Sequence, residues 1–490
     1  MRSSGILMHI SSLPSNYGIG TMGKTAYDFV DFLKQSGQKI WQLLPINPTS
    51  YGDSPYSSFS LYAGNPYFID LDILHEEKLL EHSEYHNLNW GDDEEKVDYG
   101  KIFELRFNVL KKAFERFIKN ADFQYEAFKQ DNYFWLYDYS LYMALKFDNN
   151  NLSWQEWDEA LRKRDKEALH QKEIQLKNEI EFWKFVQYKF YKQFYKLKQY
   201  ANKNGIKIIG DIPIYVALDS ADVWANPELF MLDEDLKPIE VAGCPPDDFA
   251  KTGQLWGNPL YNWEVMKQRG YDWWVNRIGT ATKIYDIVRI DHFRGFESYY
   301  AIKAESETAE HGTWRKGPDI ELFNTIKAKL SNPDIIAEDL GHFTEPVKTL
   351  LNATGYPGMK VLQFGFNSGE DSTFLPHNFK RNTVCYTGTH DNDTIKGWLD
   401  SLNEADLKYV MDYLNVDNKD DCIYGLIRLA WASVCDMAIT TMQDLLKLPT
   451  EARMNIPSTA QGNWRWRMKK DQLTQELTQK LYTLTKLYWR

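Results

Sequence analysis

Short apolar runs rich in β-branched residues recur along the chain, and polar stretches of helical period lie between most of them. Eight of these runs are candidate strands, and they cover residues 5–10, 40–46, 206–215, 284–291, 334–340, 359–366, 383–391 and 437–446. Near-continuous apolar strands that alternate with amphipathic helices indicate a parallel sheet covered by helices. Eight such units predict an α/β fold of the closed (β/α)8 type, a TIM barrel, whose active site lies at the carboxyl ends of the strands. An open doubly wound sheet is the alternative.

The spacing of the runs is uneven and indicates two insertions. Residues 74–203 are mostly charged amphipathic helix and exceed an ordinary βα connection, so we expect an inserted helical subdomain there. Residues 216–280 are rich in Pro, Gly, Asp and Trp and are expected to form a second, loop-rich insertion. Because the last segment also has a helical pattern, we predict a single catalytic barrel over residues 1–490, without a separate C-terminal β-domain.

The charge balance limits the partners of this 490-residue chain. Its formal charge is −12, with acidic and basic residues mixed along most of its length. Nucleic acids and anionic membranes are bound by basic surfaces, so this balance argues against both. Aromatic residues make up 15% of the chain and include 17 Trp and 30 Tyr. So many amphipathic rings favour surfaces that stack on flat, half-apolar ligands, with packing in a large core as the alternative.

The cysteines and the apolar segments bear on the compartment. The four cysteines show no spacing typical of a metal site. The first apolar run is too short for a signal peptide, and no cleavage site of small residues follows it. The longest apolar stretch, residues 426–442, carries Arg428 and Asp436 and cannot cross a bilayer. We therefore expect a soluble, reduced, cytoplasmic protein.

Two local motifs suggest other functions and are rejected. Residues 17–24 fit the pattern G-x-G-x-x-G, but they do not follow their strand directly, and the next strand ends without an acidic residue. A dinucleotide site needs both features, so we interpret this stretch as a structural glycine-rich loop of the barrel. Residues 417–421 lack the central Gly and the closing Glu of a calcium loop. We expect a solvated turn there, before a helix that begins near Ile423.

The strongest chemical signal is a set of acidic residues at the ends of predicted strands. Asp291, Glu338 and Asp391 each end a different apolar run, and Asp211 ends a fourth. One such residue can simply cap the following helix, and Asp211 has that structural alternative. Four acidic ends on the catalytic face of one barrel favour an active site.

Two of these carboxylates are expected to have different roles. Strand side chains alternate between faces, so Arg289 points the same way as Asp291 and is expected to lower its pKa and keep this nucleophile ionised. Glu338 follows three apolar residues, and burial is expected to raise its pKa so that it serves as acid and then as base. Such a pair is typical of retaining glycosidases, in which the two carboxyl groups lie about 5–5.5 Å apart. A plain ion pair between Arg289 and Asp291 is the structural alternative.

Three further side chains are predicted to complete the site. Asp391 would be a third carboxylate that orients sugar hydroxyls and supports positive charge developing on the sugar ring. His390 precedes it directly, and His292 directly follows the predicted nucleophile. Both imidazoles are expected to donate hydrogen bonds to the same sugar ring.

The sequence resembles the 4-α-glucanotransferases of the amylomaltase or disproportionating-enzyme family, which are relatives of the α-amylases. The resemblance covers essentially the whole chain and rests on seven segments in the order of the family. These segments are residues 51–71, 210–224, 245–263, 289–296, 337–341, 388–394 and 453–459. Seven matching segments in order are far more specific than any single motif.

The resemblance implies roles for the matching positions. Asp291 would be the nucleophile that forms a covalent glucosyl-enzyme, Glu338 the general acid/base, and Asp391 the stabiliser of the transition state. The residues that would bind substrate are Arg289, His292, His390, Asp211, Tyr51, Tyr56, Gln254 and Trp256. The loop of residues 245–262 is similar to the mobile lid of the family. For each aromatic residue, plain packing is the structural alternative.

The resemblance also implies the substrates. They would be α-1,4-glucans and maltooligosaccharides, with glucose as an acceptor, and no metal and no organic cofactor would be needed. Transfer and hydrolysis share the covalent intermediate and differ in whether a sugar hydroxyl or water attacks it. A lid that excludes water favours transfer. The alternatives are a retaining α-1,4-glucan hydrolase on the same fold and a glucan-binding protein that has lost catalysis.

Overall fold

The computed structural model describes residues 2–246, 250–341, 343–459 and 461–490. The strands within these ranges are β1 (Ser3–Leu7), β2 (Ile40–Gln42), β3 (Lys207–Ile212), β4 (Glu240–Cys244), β5 (Gln254–Pro259), β6 (Ile287–Ile290), β7 (Ser298–Lys303), β8 (Gly312–Lys316), β9 (Ile335–Ala337), β10 (Gly358–Val361), β11 (Thr383–Tyr386) and β12 (Met437–Thr441). The α-helices are α1 (Lys24–Gln35), α2 (Leu71–Glu76), α3 (Tyr99–Phe117), α4 (Phe123–Asp131), α5 (Tyr133–Asp148), α6 (Glu159–Arg162), α7 (Lys166–Gln175), α8 (Lys177–Lys203), α9 (Ala221–Ala225), α10 (Trp263–Gln268), α11 (Asp272–Ile284), α12 (Asp319–Leu330), α13 (Glu345–Thr354), α14 (Ile395–Ser401), α15 (Glu404–Leu414), α16 (Lys419–Ala432), α17 (Met442–Leu445) and α18 (Gln475–Leu487).

Eight parallel strands form a (β/α)8 barrel, as the sequence predicts. Their order is β10-β11-β12-β1-β2-β3-β6-β9, which follows the chain without reversal once the ends are joined. A doubly wound sheet reverses its strand order at a switch point, so that alternative is wrong. The ring closes between β9 and β10, where the amide of Ala337 donates to the carbonyl of Pro357 at 3.0 Å.

Each predicted barrel strand is present and is shorter than its apolar run. The run at residues 40–46 contributes strand only over Ile40–Gln42. Leu43, Leu44 and Ile46 continue the apolar pattern because the connection after the strand is itself buried. An apolar run indicates which residues are buried, so it does not show the residue at which strand pairing ends.

A second sheet was not predicted from the sequence. It is antiparallel, with the order β5-β4-β7-β8, and it lies outside the barrel. Two of its strands, β4 and β5, belong to residues 216–280 and pair with each other. Strand β4 also pairs with β7, which in turn pairs with β8, and β7 and β8 both follow barrel strand β6. The same range also contains most of α11, a helix of the barrel. The boundaries proposed for this insertion therefore remain a prediction.

Helices α2 to α8 lie between β2 and β3, where the sequence predicts an inserted helical subdomain. The longest, α8, has 27 residues and buries apolar and aromatic side chains over most of its length. Its buried residues belong to the same continuous hydrophobic cluster as the barrel core. These helices therefore pack directly on the barrel, and the limits 74–203 remain a prediction. No helix in the described ranges is long and apolar enough to cross a membrane.

The two rejected motifs have structural explanations. A Cβ atom at Gly20 would lie 1.8 Å from the carbonyl oxygen of Ile10, so this position of the glycine-rich loop needs close backbone packing. At residues 417–421, the side chain of Asn418 accepts from the amide of Asp421 and caps α16. That helix begins at Lys419, before the predicted start near Ile423, because the cap lies within the turn itself.

Candidate active site

Polar side chains predicted from the sequence gather at the carboxyl ends of the barrel strands. Asp291 follows β6 directly and Glu338 follows β9 directly, and both lie at the rim that holds the active site in barrels of this kind. Asp211 lies within β3, and Asp391 lies in the loop after β11. The rim thus brings together carboxylates that are up to 180 positions apart, the difference between 391 and 211.

The register of two neighbouring strands pairs Asp291 with Glu338. Ile290 of β6 is paired with Ala337 of β9, so the next residue on each strand lies at the same level. The Glu338 amide donates to the carbonyl of Ile290 at 3.0 Å. Neighbouring strands lie about 4.7–4.9 Å apart. Side chains that start at one level on adjacent strands can bring their carboxyl groups to the separation of about 5–5.5 Å that retaining enzymes need, whereas inverting enzymes need roughly 6.5–9.5 Å.

Glu338 is held by backbone donors. The amide of His292 donates to Oε2 at 2.7 Å, and the amide of Leu340 donates to Oε1 at 2.7 Å. His292 lies in the left-handed region at φ 50°, which is an uncommon conformation for a residue with a side chain. The turn after Asp291 therefore aims a backbone amide at Glu338 and couples the positions of the two carboxyl groups.

Arg289 connects Asp291 to a buried carboxylate. Its Nη1 donates to Oδ1 of Asp291 at 3.1 Å and to Oδ2 of Asp211. The hydroxyl of Tyr56 also donates to Oδ2 of Asp211, at 2.8 Å. Asp211 has no exposed surface, whereas the Asp291 side chain is 28% exposed. Asp211 therefore positions Arg289. Asp211 has no accessible surface in this structure, so it offers substrate no surface for the direct contact predicted from the sequence.

The predicted pKa of Asp291 is wrong in direction. Burial raises the pKa of Asp291 to about 6, and Arg289 offsets this only in part. Arg289 also serves Asp211, and the negative charges of Asp211 and Asp391 raise the pKa of Asp291 further. Asp291 is still mostly ionised at pH 7. The inference from a single neighbouring arginine failed because it left out burial and two other carboxylates.

The predicted pKa of Glu338 has the right direction. Burial raises it to about 8, and the charge of Asp291 adds to the rise, with Arg289 and the two backbone donors as a partial offset. At pH 7 the pair thus holds one ionised carboxylate and one protonated carboxyl group. This is the arrangement that a nucleophile and a general acid require.

Asp391 is kept strongly acidic. Burial by itself raises its pKa, but the imidazole of His390 at 3.2 Å and the amide of Asn455 at 2.7 Å outweigh burial and hold the pKa at about 2. The pKa of His390 is raised, because the charge of Asp391 outweighs its burial. Arg453 donates to the backbone carbonyl of Asp391. Asp391 is therefore a fixed negative charge over the whole working pH range.

Aromatic rings line this side of the site. Tyr56 stacks on His390 with ring centroids 5.1 Å apart, and Trp464 packs near both rings. Trp256 points edge-on at His292 at 4.9 Å and donates to Oε1 of Gln254 at 3.1 Å. The structure thus brings Trp256 to the residue that follows Asp291.

Gln254 and Trp256 lie on β5, so this part of the predicted lid is strand rather than loop. The lid prediction also covers residues 247–249, which lie outside the described residues.

The pKa of His292 is lowered to about 3 by burial and by Arg294, so its imidazole is neutral.

Tyr51 is separate from the carboxylates. Its side chain is 81% exposed and lines a cavity of about 380 Å³. Aromatic residues of this cavity include Phe59, Tyr67, Tyr99, Phe103, Phe107, Tyr139, Phe147 and Trp183. None of the three predicted catalytic carboxylates lines it. The role of Tyr51 in binding remains a prediction.

Sequence reasoning missed the residues that hold the Asp391 loop. Asn455 and Arg453 belong to a segment used for the resemblance, but no role was inferred for them. Asp444 follows the eighth barrel strand, β12, and accepts from the amide of Ile395 at 2.7 Å and from the hydroxyl of Thr387 at 2.8 Å. These contacts bind both ends of the loop that carries Asp391. Asp444, like the other carboxylates, is an acidic residue near the end of a predicted strand, so the same sequence signal could have identified it.

Replacing Asp444 with alanine is expected to lower kcat on maltotriose about tenfold, because the two freed donors cost about 1–3 kcal/mol each and the Asp391 loop loosens. Asp444→Asn should restore most of the activity, since its oxygen can accept from Ile395 and its amide can donate to Thr387, whose hydroxyl also contacts Thr440 at 3.0 Å. Steady-state kinetics of both variants test this. An equal loss in both would show that the charge matters and that positioning does not explain the effect.

A (β/α)8 barrel whose rim holds an ionised aspartate and a protonated glutamic acid at neighbouring strand ends defines the class of barrel enzymes that cleave glycosidic bonds with retention. The profile of the family described as 4-alpha-glucanotransferase matches residues 8–474. The chain belongs to this family, which confirms the resemblance seen in the sequence.

Individual relatives agree with this assignment. The chain is 50% identical to the 4-alpha-glucanotransferase of Clostridium butyricum over 485 residues, which cover 99% of this chain and 100% of the relative. It is 43% identical to that of Thermus thermophilus, over 97% of this chain and 96% of the relative. Among solved structures, amylomaltase from Streptococcus agalactiae in complex with acarbose matches with a TM-score of 0.98 and 46% identity, and all of both chains is covered.

Proposed function

We infer that the chain is a 4-α-glucanotransferase that cleaves an α-1,4-glucan with retention and moves the glucosyl chain to the 4-hydroxyl of another glucan or of glucose. Family membership supports the activity. The observation that carries the mechanism is the register of β6 and β9, which places Asp291 and Glu338 at one level on adjacent strands. We propose the roles of individual residues from the contacts around this pair.

In the first step, ionised Asp291 attacks the anomeric carbon while protonated Glu338 gives its proton to the leaving oxygen. The C–O bond of the glycosidic link breaks, and a bond from Asp291 to the sugar forms. Asp391, held ionised by His390 and Asn455, stabilises the positive charge that develops on the sugar ring. Arg289 orients Asp291 through the contact at 3.1 Å.

In the second step, Glu338 acts as a base. It takes the proton from the 4-hydroxyl of an acceptor sugar, whose oxygen attacks the anomeric carbon and displaces Asp291. The sugar retains its configuration because it is inverted twice. Tyr56 and Trp256 offer ring surfaces beside the two histidines, and we propose that they hold sugar rings and limit the access of water.

The pH dependence should be bell-shaped. Asp291 must be ionised, so kcat/KM rises as the pH increases through about 6. Glu338 must be protonated in the first step, so kcat/KM falls as the pH increases through about 8. Initial rates on maltotriose across this range test the prediction, with thermal melts at each pH as a control for unfolding. A profile that stays flat above pH 8 would remove Glu338 from the acid role. Because Asp291 and Glu338 interact, the apparent pKa values of the two limbs of the profile belong to the pair of carboxyl groups together.

Incubation with maltotriose alone tests the activity. A transferase produces glucose and longer oligosaccharides while the total of reducing ends stays constant. A hydrolase produces shorter sugars and new reducing ends, and a glucan-binding protein without catalysis leaves maltotriose unchanged. Chromatography of the products together with a reducing-end assay separates the three outcomes.

We also propose where and on what the enzyme works. Cys385, Cys422 and Cys435 are buried thiols, which supports work in the reduced cytoplasm.

The cavity that contains Tyr51 supports binding of glucan segments at a distance from the cleaved bond. The solved relative from Streptococcus agalactiae holds acarbose, and we propose that this chain binds that compound as well.

A further inference from the structure

A cavity of about 190 Å³ lies beside the barrel, and none of the predicted catalytic carboxylates lines it. Its walls come from α5, α9, the start of α11 and the segment that follows Tyr56 along the chain. Barrel helices run antiparallel to their strands, so the start of α11 lies on the face that carries the active site. Ser60 and Tyr62 line the cavity, and Tyr56 of the same segment contacts Asp211. The cavity therefore opens on the catalytic side of the molecule.

The cavity offers hydrogen-bond groups that the protein does not use. Asp222 is 6% exposed, and its Oδ2 accepts from the amide of Leu61 at 3.0 Å. In the described part of the chain, Oδ1 of Asp222 accepts from no other residue. The exposed Asn276 side chain likewise has no hydrogen bond to a described residue. Asp222 and Asn276 therefore offer oxygen atoms that can accept from a ligand, so the cavity is suited to a ligand with hydroxyl donors.

The charge of the cavity excludes anions. Asp138, Asp222 and Asp272 line it, and Arg269 is the single cationic residue among the described lining residues. The Arg269 guanidinium already donates to Asp272 at 3.1 Å and to Glu228 at 2.9 Å. Arg164 likewise donates to Asp138, and Asp222 has no ion pair in the described part of the chain. A phosphate or a sugar phosphate would thus meet the charge of Asp222 and no free cationic side chain among the described lining residues. A neutral ligand fits, and a cation is the competing choice.

The aromatic residues favour a neutral sugar over a cation. Phe134 is 53% exposed, whereas the rings of Tyr62, Trp135 and Trp273 are almost entirely buried. Tyr62 meets Phe134 edge to face at 5.4 Å and fixes its orientation. Binding of a quaternary ammonium group uses several accessible ring faces, and here one ring is accessible. One exposed ring with hydrogen-bond acceptors around it matches a pyranose, which has an apolar face and a rim of hydroxyls.

We propose that this cavity, between α5, α9 and α11, binds one neutral pyranose ring of an α-glucan chain. Its volume is below the roughly 300–1,000 Å³ of sites for larger ligands, which fits a single ring. The ring stacks on Phe134, and its hydroxyls donate to Asp222 and Asn276. The cavity adds affinity for long glucans by holding them beside the cleft. The choice of a glucan rests on the proposed function.

Binding of glycogen in native affinity gels tests this site. Every protein carries Glu338→Gln, so that the glucan stays intact. Phe134→Ala removes the stacking surface and should raise the Kd for glycogen about three- to tenfold. Asn276→Ala changes an exposed side chain and should raise it in the same direction. Tyr133→Ala is the matched control, because Tyr133 is the neighbouring residue of α5, is 64% exposed and does not line the cavity.

The outcomes separate this proposal from the proposed function. Without the Glu338 change, Phe134→Ala should keep the wild-type kcat and KM on maltotriose, which is too short to need a second site. If Phe134→Ala and Asn276→Ala bind glycogen as well as Tyr133→Ala does, the sugar site is refuted while the transferase activity stands. A loss of maltotriose activity in Phe134→Ala would also refute it, since the cavity would then act on the cleft. Selective displacement of glycogen by tetramethylammonium chloride, compared with sodium chloride, would assign the cavity to a cation.

Discussion

Replacing Asp291 with asparagine is expected to lower kcat/KM on maltotriose about 10⁴- to 10⁶-fold, because the variant cannot form the covalent intermediate. The fold should persist, since Arg289 keeps its contact with Asp211. The free energy of unfolding should not fall. Burial raises the pKa of Asp291 to about 6, so ionised Asp291 destabilises the folded protein above the pKa of the unfolded chain. Kinetics and thermal melts at pH 7 measure both effects.

A matched control lies on the opposite end of the same strand. Asp286 precedes β6, and its Oδ2 accepts from the amide of Ile208 at 2.8 Å and from Asn202 at 2.8 Å. Asp286→Asn makes the same chemical change away from the active-site rim and should leave kcat nearly unchanged. Substantial turnover by Asp291→Asn would remove Asp291 from the role of nucleophile. A large loss of kcat in Asp286→Asn would show that the assay reports stability rather than chemistry.

Replacing Glu338 with glutamine is expected to lower kcat/KM on maltotriose about 10²- to 10⁴-fold, because neither the leaving oxygen nor the acceptor hydroxyl has its proton transferred. A donor with a fluoride leaving group needs no acid, so Glu338→Gln should still be glycosylated by a maltosyl fluoride. The second step lacks its base, and the maltosyl-enzyme should accumulate. Mass spectrometry of the peptide that contains Asp291 measures this adduct.

Two comparisons make the Glu338 experiment decisive. Glu345→Gln is the same change on an exposed side chain of α13, with 81% of its surface accessible, and it should retain full activity. The double variant with Asp291→Asn should form no adduct from the fluoride. An adduct on another residue would contradict the assignment of the nucleophile. Equal losses on maltotriose and on the fluoride would contradict an acid role for Glu338.

These assignments connect catalysis to local strain and burial. His292 takes a left-handed backbone conformation and donates its amide to Glu338, while its side chain contacts Trp256. A conformation of this kind persists only where the surroundings impose it, and it is common at active sites. The raised pKa values of the paired carboxyl groups likewise oppose folding at neutral pH. The site therefore lowers the stability of the folded protein, and in return it holds an ionised nucleophile and a protonated acid at pH 7.

Much of the barrel could be predicted from the sequence because its signals are local. A barrel strand is buried on both faces, so each of the eight strands is an apolar run, and each is present. The acidic residues after these runs had to lie at one rim once the strands were parallel. Asp291, Glu338 and Asp391 could therefore be found without coordinates. The antiparallel sheet of β4, β5, β7 and β8 was not predicted because its outer strands, β5 and β8, are partly or fully exposed along most of their length and carry no such runs.

The sequence by itself determined the barrel and the acidic strand ends, and through the family segments it determined the class of reaction. Only the tertiary structure decided the electrostatics and the supports of the site. The pKa of Asp291 depends on burial and on Asp211 and Asp391, which are remote along the chain. The burial of Asp211, and the hydrogen bonds to Asp444 that fix the loop of Asp391, also depend on strands that are remote along the chain. Electrostatic and packing energies depend on distance in space, and a chain that folds into a closed barrel sets those distances only when all its strands are in place.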